Sequence, residues 1–219
     1  GMGFPEETAY GVDVSIPNFD FLEPYREEIT AIVLTHGHED HLGALPYILK
    51  KFNVPVYCSH FTAGLAESKL EEHELLDDIL LHRVEPRDVV DIGSFTVEFI
   101  RVSHSLIDCF SLAIKTPVGT IIHTGDYKVD ETPVIGEPID LRSFRRYGQD
   151  GVLALLSDCL LLVIVVVVNA IVGGALMITA FGCAIGLAHA QASKAISKIA
   201  RVLLFDPKDA TQSKYRGTI

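Results

Sequence analysis

Ala31-Ile32-Val33-Leu34-Thr35-His36-Gly37-His38-Glu39-Asp40-His41-Leu42-Gly43 is the stretch on which the reading of this chain turns. The apolar run Ala31 to Leu34 reads as a buried strand, and it ends in three imidazoles and the carboxylate of Asp40. Polar groups packed this closely need ions or water to satisfy them. In extended backbone, side chains two residues apart share a face, so His36 and His38 can grip one ion together. Asp40 and His41 follow after the chain has begun to turn and face a second ion. Two ions about 3.5–4 Å apart can clamp a hydrolytic transition state and acidify a water between them. Imidazole and carboxylate donors suit zinc, with manganese or magnesium as the alternatives where carboxylates dominate. The competing reading is a solvated, His-rich loop. The strand before the cluster and the partners further along argue against it.

Those partners also sit at strand ends. Ser103-His104-Ser105 follows the alternating segment Phe95 to Val102, and His123-Thr124-Gly125-Asp126 follows Gly119 to Ile122. Alone, His104 would read as an ordinary histidine. In company with the first cluster, His104 and Asp126 are the residue types needed to complete two coordination spheres.

Thr35 to Gly43 resembles the H-x-H-x-D-H signature of the metallo-β-lactamase superfamily. The longer string Thr35 to Tyr47 is similar to the ribonuclease J (beta-CASP) branch. So are Gly3-Phe4-Pro5-Glu6, Gly11-Val12-Asp13, Ile16-Pro17-Asn18-Phe19, Lys69-Leu70-Glu71-Glu72-His73, His123 to Lys128 and Leu155-Leu156-Ser157-Asp158. The resemblance implies two zinc ions. His36, His38 and His104 would hold one, Asp40 and His41 the other, and Asp126 would bridge both. It further implies endonucleolytic and 5′-to-3′ exonucleolytic hydrolysis of RNA, with Asp126 and Asp40 as catalytic residues and Asp40 orienting the water. RNA as substrate follows from the same resemblance; a homo-oligomeric state and a cytoplasmic location are further expectations.

The resemblance covers residues 1–158. The family's opening strands, its RNA-gripping insert and its last metal-ligating histidine find no counterpart, and nothing around His189 matches. The expectation is therefore a partial metallo-β-lactamase domain over 1–158 with impaired activity. A non-catalytic fragment holding one metal or none is the alternative. A thioester or lactam hydrolase of the same fold is a third reading, and Tyr47 and the His123–Lys128 string favour the nuclease over it.

Residues 159–219 differ in composition. Residues 1–158 hold 27 of the chain's 29 acidic and 12 of its 18 basic side chains, and no charged residue lies between Asp158 and Lys194. Three readings of this apolar tail compete. It is a membrane-contacting segment over 159–190, long enough for the roughly 20 residues of a span. Or it is a buried element, with its Val-rich half suited to a strand. Or it is the product of a frameshift, fusion or mis-assembled reading frame. Ile196, Ile199, Val202 and Leu203 would line one face of a basic helix from Ala192 to Phe205.

A net charge of −11 argues against RNA binding through a generally basic surface, while metal ions and local patches can still face phosphates. Arg142, Arg145 and Arg146 read as a solvated helix face rather than a phosphate grip. Cys58, Cys109, Cys159 and Cys183 show no Cys-x-x-Cys spacing and read as reduced, buried residues. The fold class is α/β (α+β), half of an αββα sandwich with one sheet face left bare. Strands are predicted near 31–34, 54–58, 95–102, 109–116, 119–123 and 152–157. Helices are predicted near 42–51, 61–78 and 141–147, with Leu65, Leu70, Leu75 and Leu76 as the apolar positions of the second. Gly37 and Gly43 are expected to let the backbone turn around the metal site.

Overall fold

The computed structural model describes residues 1–4, 11–159, 162–171 and 174–178, with side chains through Ser157. The chain divides between Glu85 and Pro86 into two compact units.

The first unit is built on three short parallel strands, β1 (Ile32–Val33), β2 (Val56–Cys58) and β3 (Leu81–Arg83), in the order β1-β2-β3. Parallel neighbours require crossover connections. Helices α1 (Glu39–Leu42) and α2 (Leu45–Lys51) fill the first, and α3 (His60–Glu72) the second. The single helix predicted near 42–51 is thus two. Gly43 and Ala44 separate them, and Pro46 is accommodated in the first turn of α2, where its missing N–H costs nothing. Leu42, Leu45, Leu49, Val56, Cys58, Ala63, Ala66 and Leu70 close one core between helices and sheet.

The Ser59 side chain starts α3 by accepting the Thr62 N–H at 3.2 Å. The buried face of α3 is Thr62, Ala63, Ala66 and Leu70. Leu65 lies off that stripe and is exposed, against expectation. The helix is also shorter than predicted. Glu74 takes a left-handed φ of 58° and ends it, so Leu75 falls beyond its end and Leu76 begins a separate 3-10 turn. A 3-10 stretch over Asp20–Glu28 was not foreseen either.

The second unit is a seven-stranded sheet. Its strands are β4 (Val89–Ile92), β5 (Phe95–Val102), β6 (Cys109–Thr116), β7 (Gly119–Asp126), β8 (Ala154–Cys159), β9 (Leu162–Ile171) and β10 (Gly174–Ile178), in the order β10-β9-β8-β7-β6-β5-β4. All neighbours are antiparallel except β7 and β8, which α4 (Leu141–Asp150) joins as a crossover. Phe144 and Tyr147 of α4 pack on Ile100, Val102, Ala113, Ile122 and Leu155. Asp140 caps α4, accepting the N–H groups of Arg142 and Ser143. Under the helix, buried Glu98 accepts from Arg146 Nη2 and from the Tyr147 hydroxyl, each at 2.6 Å. Phe99 and Phe110 on the opposite face of the sheet are also fully buried. The bare face expected from half a sandwich therefore does not occur at β5 and β6.

The Val-rich run is β9, antiparallel to β8 in the register Leu155↔Val166, with β10 paired beyond it. β-Branched side chains fit the pleat, so the strand reading of this run prevails over the helical one. No helix among the described residues is long and apolar enough to cross a membrane. The expected basic helix over 192–205, His189 and Cys183 lie outside the described residues. β3 and β4 are not evident in the sequence because one is three residues long and the other is a four-residue, half-exposed edge.

Candidate metal centre

The strand β1 ends at Val33, the chain bends at Thr35, and His38 is extended (φ −70°, ψ 152°) where α1 begins. His36 and His38 meet here, as their spacing leads one to expect. Nε2 of His36 lies 3.0 Å from Nδ1 of His38, with the rings edge to face. Two imidazole nitrogens at that distance can share one proton between them or turn their lone pairs to one ion. His36 is fully buried, and its other nitrogen, Nδ1, lies 3.1 Å from the Thr35 hydroxyl. That contact fixes the ring and leaves Nε2 as the ligating atom, as second partners of metal-bound histidines commonly do.

Helix α1 delivers the rest of the cluster. Its first turn swings His41 back until its ring centroid is 4.1 Å from that of His36, and His41 Nε2 lies 3.6 Å from Asp40 Oδ2. The side chain of Asp40 is 70 % exposed, so a carboxylate borders solvent beside a half-buried imidazole. The expected glycine turns are not what shapes this loop. Gly43 is right-handed (φ −58°), and Gly37 is not among the residues with positive φ. Gly43 is needed for close approach instead, because a Cβ there would meet the Glu39 carbonyl oxygen at 2.6 Å.

In the second unit, β5 and β7 run in the same direction on either side of β6, so their ends reach one edge of the sheet. Past the start of β6, Lys128 donates its N–H to the Ser103 carbonyl at 2.7 Å. This bridge sets His104 beside Asp126, with Nε2 3.4 Å from Oδ2, and both side chains are almost wholly buried. A bulge aims the aspartate. The register of β7 shifts between His123 and Asp126, and Gly125 takes φ +54°, which a side chain resists. Hydrogen bonds hold the bulge: Ser111 Oγ to the Thr124 carbonyl at 2.6 Å, and the Gly125 N–H to His123 Nδ1 at 3.1 Å. Sequence reading missed this work of His123 and Ser111, since only the strand register reveals it. Burial, with Asp108 and Asp126 adding to it, pushes the Cys109 thiol up to about 12.

The six residues singled out from sequence thus fall into two groups, one in each unit: His36, His38, Asp40 and His41, and His104 with Asp126. Four imidazoles and two carboxylates are donors that a divalent ion accepts, and the residues fit such a group. The arginine trio is a solvated face as expected. Arg142 and Arg145 are exposed, and Arg146 is occupied with Glu98.

Residues 24–168 match the family model described as the Metallo-beta-lactamase superfamily. The chain belongs to this superfamily. Membership implies a divalent metal, and the match runs past Asp158 into β9. Among curated relatives, Ribonuclease J of Helicobacter pylori (strain ATCC 700392 / 26695) is 46% identical over 159 residues, 72% of this chain and 23% of that protein. Ribonuclease J of Synechocystis sp. is 46% identical over 160 residues, 72% of this chain and 25% of that protein. Ribonuclease J of Thermus thermophilus is 44% identical over 165 residues, 72% of this chain and 29% of that protein. The chain spans about a quarter of the length of the curated relatives it matches. A solved metallo-beta-lactamase fold protein, YhfI of Bacillus subtilis, aligns at 20% identity with a TM-score of 0.44, over 63% of this chain and 53% of that one.

Proposed function

We propose that this chain carries the metal-binding part of an RNA phosphodiester hydrolase of the ribonuclease J type. The observation that carries the reading is the set of six donors, in two pre-paired groups, in a superfamily member 46% identical to Ribonuclease J over 159 residues. In this reading His36, His38 and His104 hold one ion, Asp40 and His41 a second, and Asp126 serves both. Zinc fits the four imidazoles best, with manganese or magnesium as substitutes. When bound, the ions would supply Lewis acidity toward the scissile phosphate and the attacking water.

The chain's own groups then have distinct tasks. Thr35 holds Nδ1 of His36, so that Nε2 faces His38. Buried Asp126 brings negative charge to His104 and so favours a cationic group between the two. Exposed Asp40, beside His41, is the carboxylate that water reaches, which supports its role in orienting that water. RNA is the proposed substrate class, and a cytoplasmic location and a homo-oligomeric assembly are proposed with it. The domain of this function is the stretch 1–158, with 159–219 outside it.

The test is metal content and RNA cleavage by the purified chain. About two zinc ions per molecule and chelator-sensitive cleavage are expected. Asp126→Ala should abolish the cleavage, and activity surviving that change removes Asp126 from its bridging role. Fewer than one zinc per molecule with no cleavage leaves only a non-catalytic fragment.

A further inference from the structure

The string Lys69 to His73 resembles the same family as the metal motif, yet none of its residues is a candidate ligand. In the first unit it lies at the end of α3, and Leu70 at its centre is fully buried in the core. Lys69, beside that anchor, reaches the segment that carries Asp40 and His41. Lys69 Nζ lies 2.9 Å from Glu39 Oε2, and the Lys69 side chain is only 18% exposed. Four residues on, the His73 ring packs edge to face on Tyr47 of α2, with centroids 5.1 Å apart. Lys69 belongs to the last turn of α3 and His73 is its C-cap, so the two contacts come from the end of the helix.

Glu39 is the motif residue left over by the metal reading. It is the first residue of α1, directly before Asp40 and two before His41. Its carboxylate folds back along its own turn, close enough that a Cβ on Gly43 would meet Oε2 at 2.5 Å. Its carbonyl oxygen accepts the N–H of Met2 at 2.9 Å. A one-turn helix has too few internal hydrogen bonds to hold its own orientation. Glu39 is therefore tied at both its backbone and its side chain, and Lys69 is the tie that reaches from another element.

We propose that Lys69 is a positioning residue, which through Glu39 sets the angle of α1 and so the placement of Asp40 and His41 as ligands of the second ion. The inference rests on the two-ion reading of the site. It assigns the Lys69–His73 string a task, and it accounts for an acidic residue inside the motif that ligates nothing. Lys69 touches neither the ions nor the substrate in this account, so its effect falls on metal affinity and on one ion only.

The experiment is a zinc titration of the full chain against a chromophoric chelator, repeated with cobalt(II) to read the coordination spectrum. Wild type should take up two equivalents. Lys69→Met and Glu39→Gln should each weaken the second equivalent by about tenfold or more, as loss of an outer partner does, and leave the first within about twofold. Lys69→Arg should recover part of the loss. The exchanged pair Lys69→Glu with Glu39→Lys should recover most of it, which also shows that the fold persists. Two equivalents with unchanged affinities in both single variants overturn the positioning role while the two-ion reading stands. Equal weakening of both equivalents, unrepaired by the exchange, makes Lys69 a general structural residue and also overturns it. Wild type that binds no zinc pair removes the two-ion reading itself.

Discussion

The two halves of the donor set are built by different means. In the first unit, four donors lie within six residues, and local geometry assembles them. His36 and His38 meet two residues apart in the segment that leaves β1, and one helical turn returns His41 to His36. In the second unit, His104 and Asp126 are separated by a hairpin, and only the sheet brings them within 3.4 Å. A locally built group should survive damage to distant packing. A group built by strand register should be lost with the sheet, so the two halves should fail separately.

The largest effect expected is from Phe144→Ala. Phe144 is fully buried between α4 and the sheet, and its loss should cost about 3–5 kcal/mol. Chemical denaturation would measure this, and Pro86 onward should melt earlier than the first unit. A single transition shifted as a whole would break the proposed independence of the halves.

Next is Gly125→Ala, which forces a Cβ onto φ +54° and should cost about 1–2 kcal/mol. The same change at Gly37, which lacks positive φ, should cost much less. Equal costs in thermal melts would mean that the bulge does not distinguish the second half.

Thr35→Val keeps the shape but removes the hydroxyl beside His36 Nδ1, and should weaken zinc binding about tenfold. Thr35→Ser should retain the affinity. Loss in both variants would point to packing of the Thr35 methyl group rather than to the hydrogen bond.

The smallest effect is one of pH. Burial raises the Asp140 carboxyl, but hydrogen bonds from Arg87 and Ser143 outweigh it and hold the group below its ordinary range. A depressed carboxylate contributes stability above its unfolded pKa and loses it as the pH falls through the folded one. The second unit should therefore weaken on acidification below the ordinary carboxylate range. Asp140→Asn, which keeps an N-cap oxygen, should flatten that part of the profile. An unchanged acid limb in the asparagine variant would exclude Asp140 as its source.

Much of the first half was legible because its information is sequential. The H-x-H-x-D-H spacing needs only strand and helix periods to become a cluster, and five of the six predicted strands reappear within a residue or two of their expected bounds. β7 instead runs on through its bulge to Asp126. Leu65 illustrates the limit of a local pattern. Counting apolar residues chose it, but the sheet beneath α3 leaves room for Ala63 and Ala66 and turns Leu65 outward. His123 illustrates another. Its place beside Asp126 suggests a ligand-rich motif, whereas the bulge uses its Nδ1 to hold the Gly125 N–H.

By itself, the sequence determined the family, the donor types and the pairing of His36 with His38, because spacing along a strand is a covalent property. Tertiary structure decided what depends on register between strands and on space between elements. It placed His104 on Asp126, gave the left-handed turn to Gly125 rather than Gly37 or Gly43, and made the Val-rich run a strand of the sheet. Each of these is set by a neighbour distant in sequence, whose position no local pattern encodes.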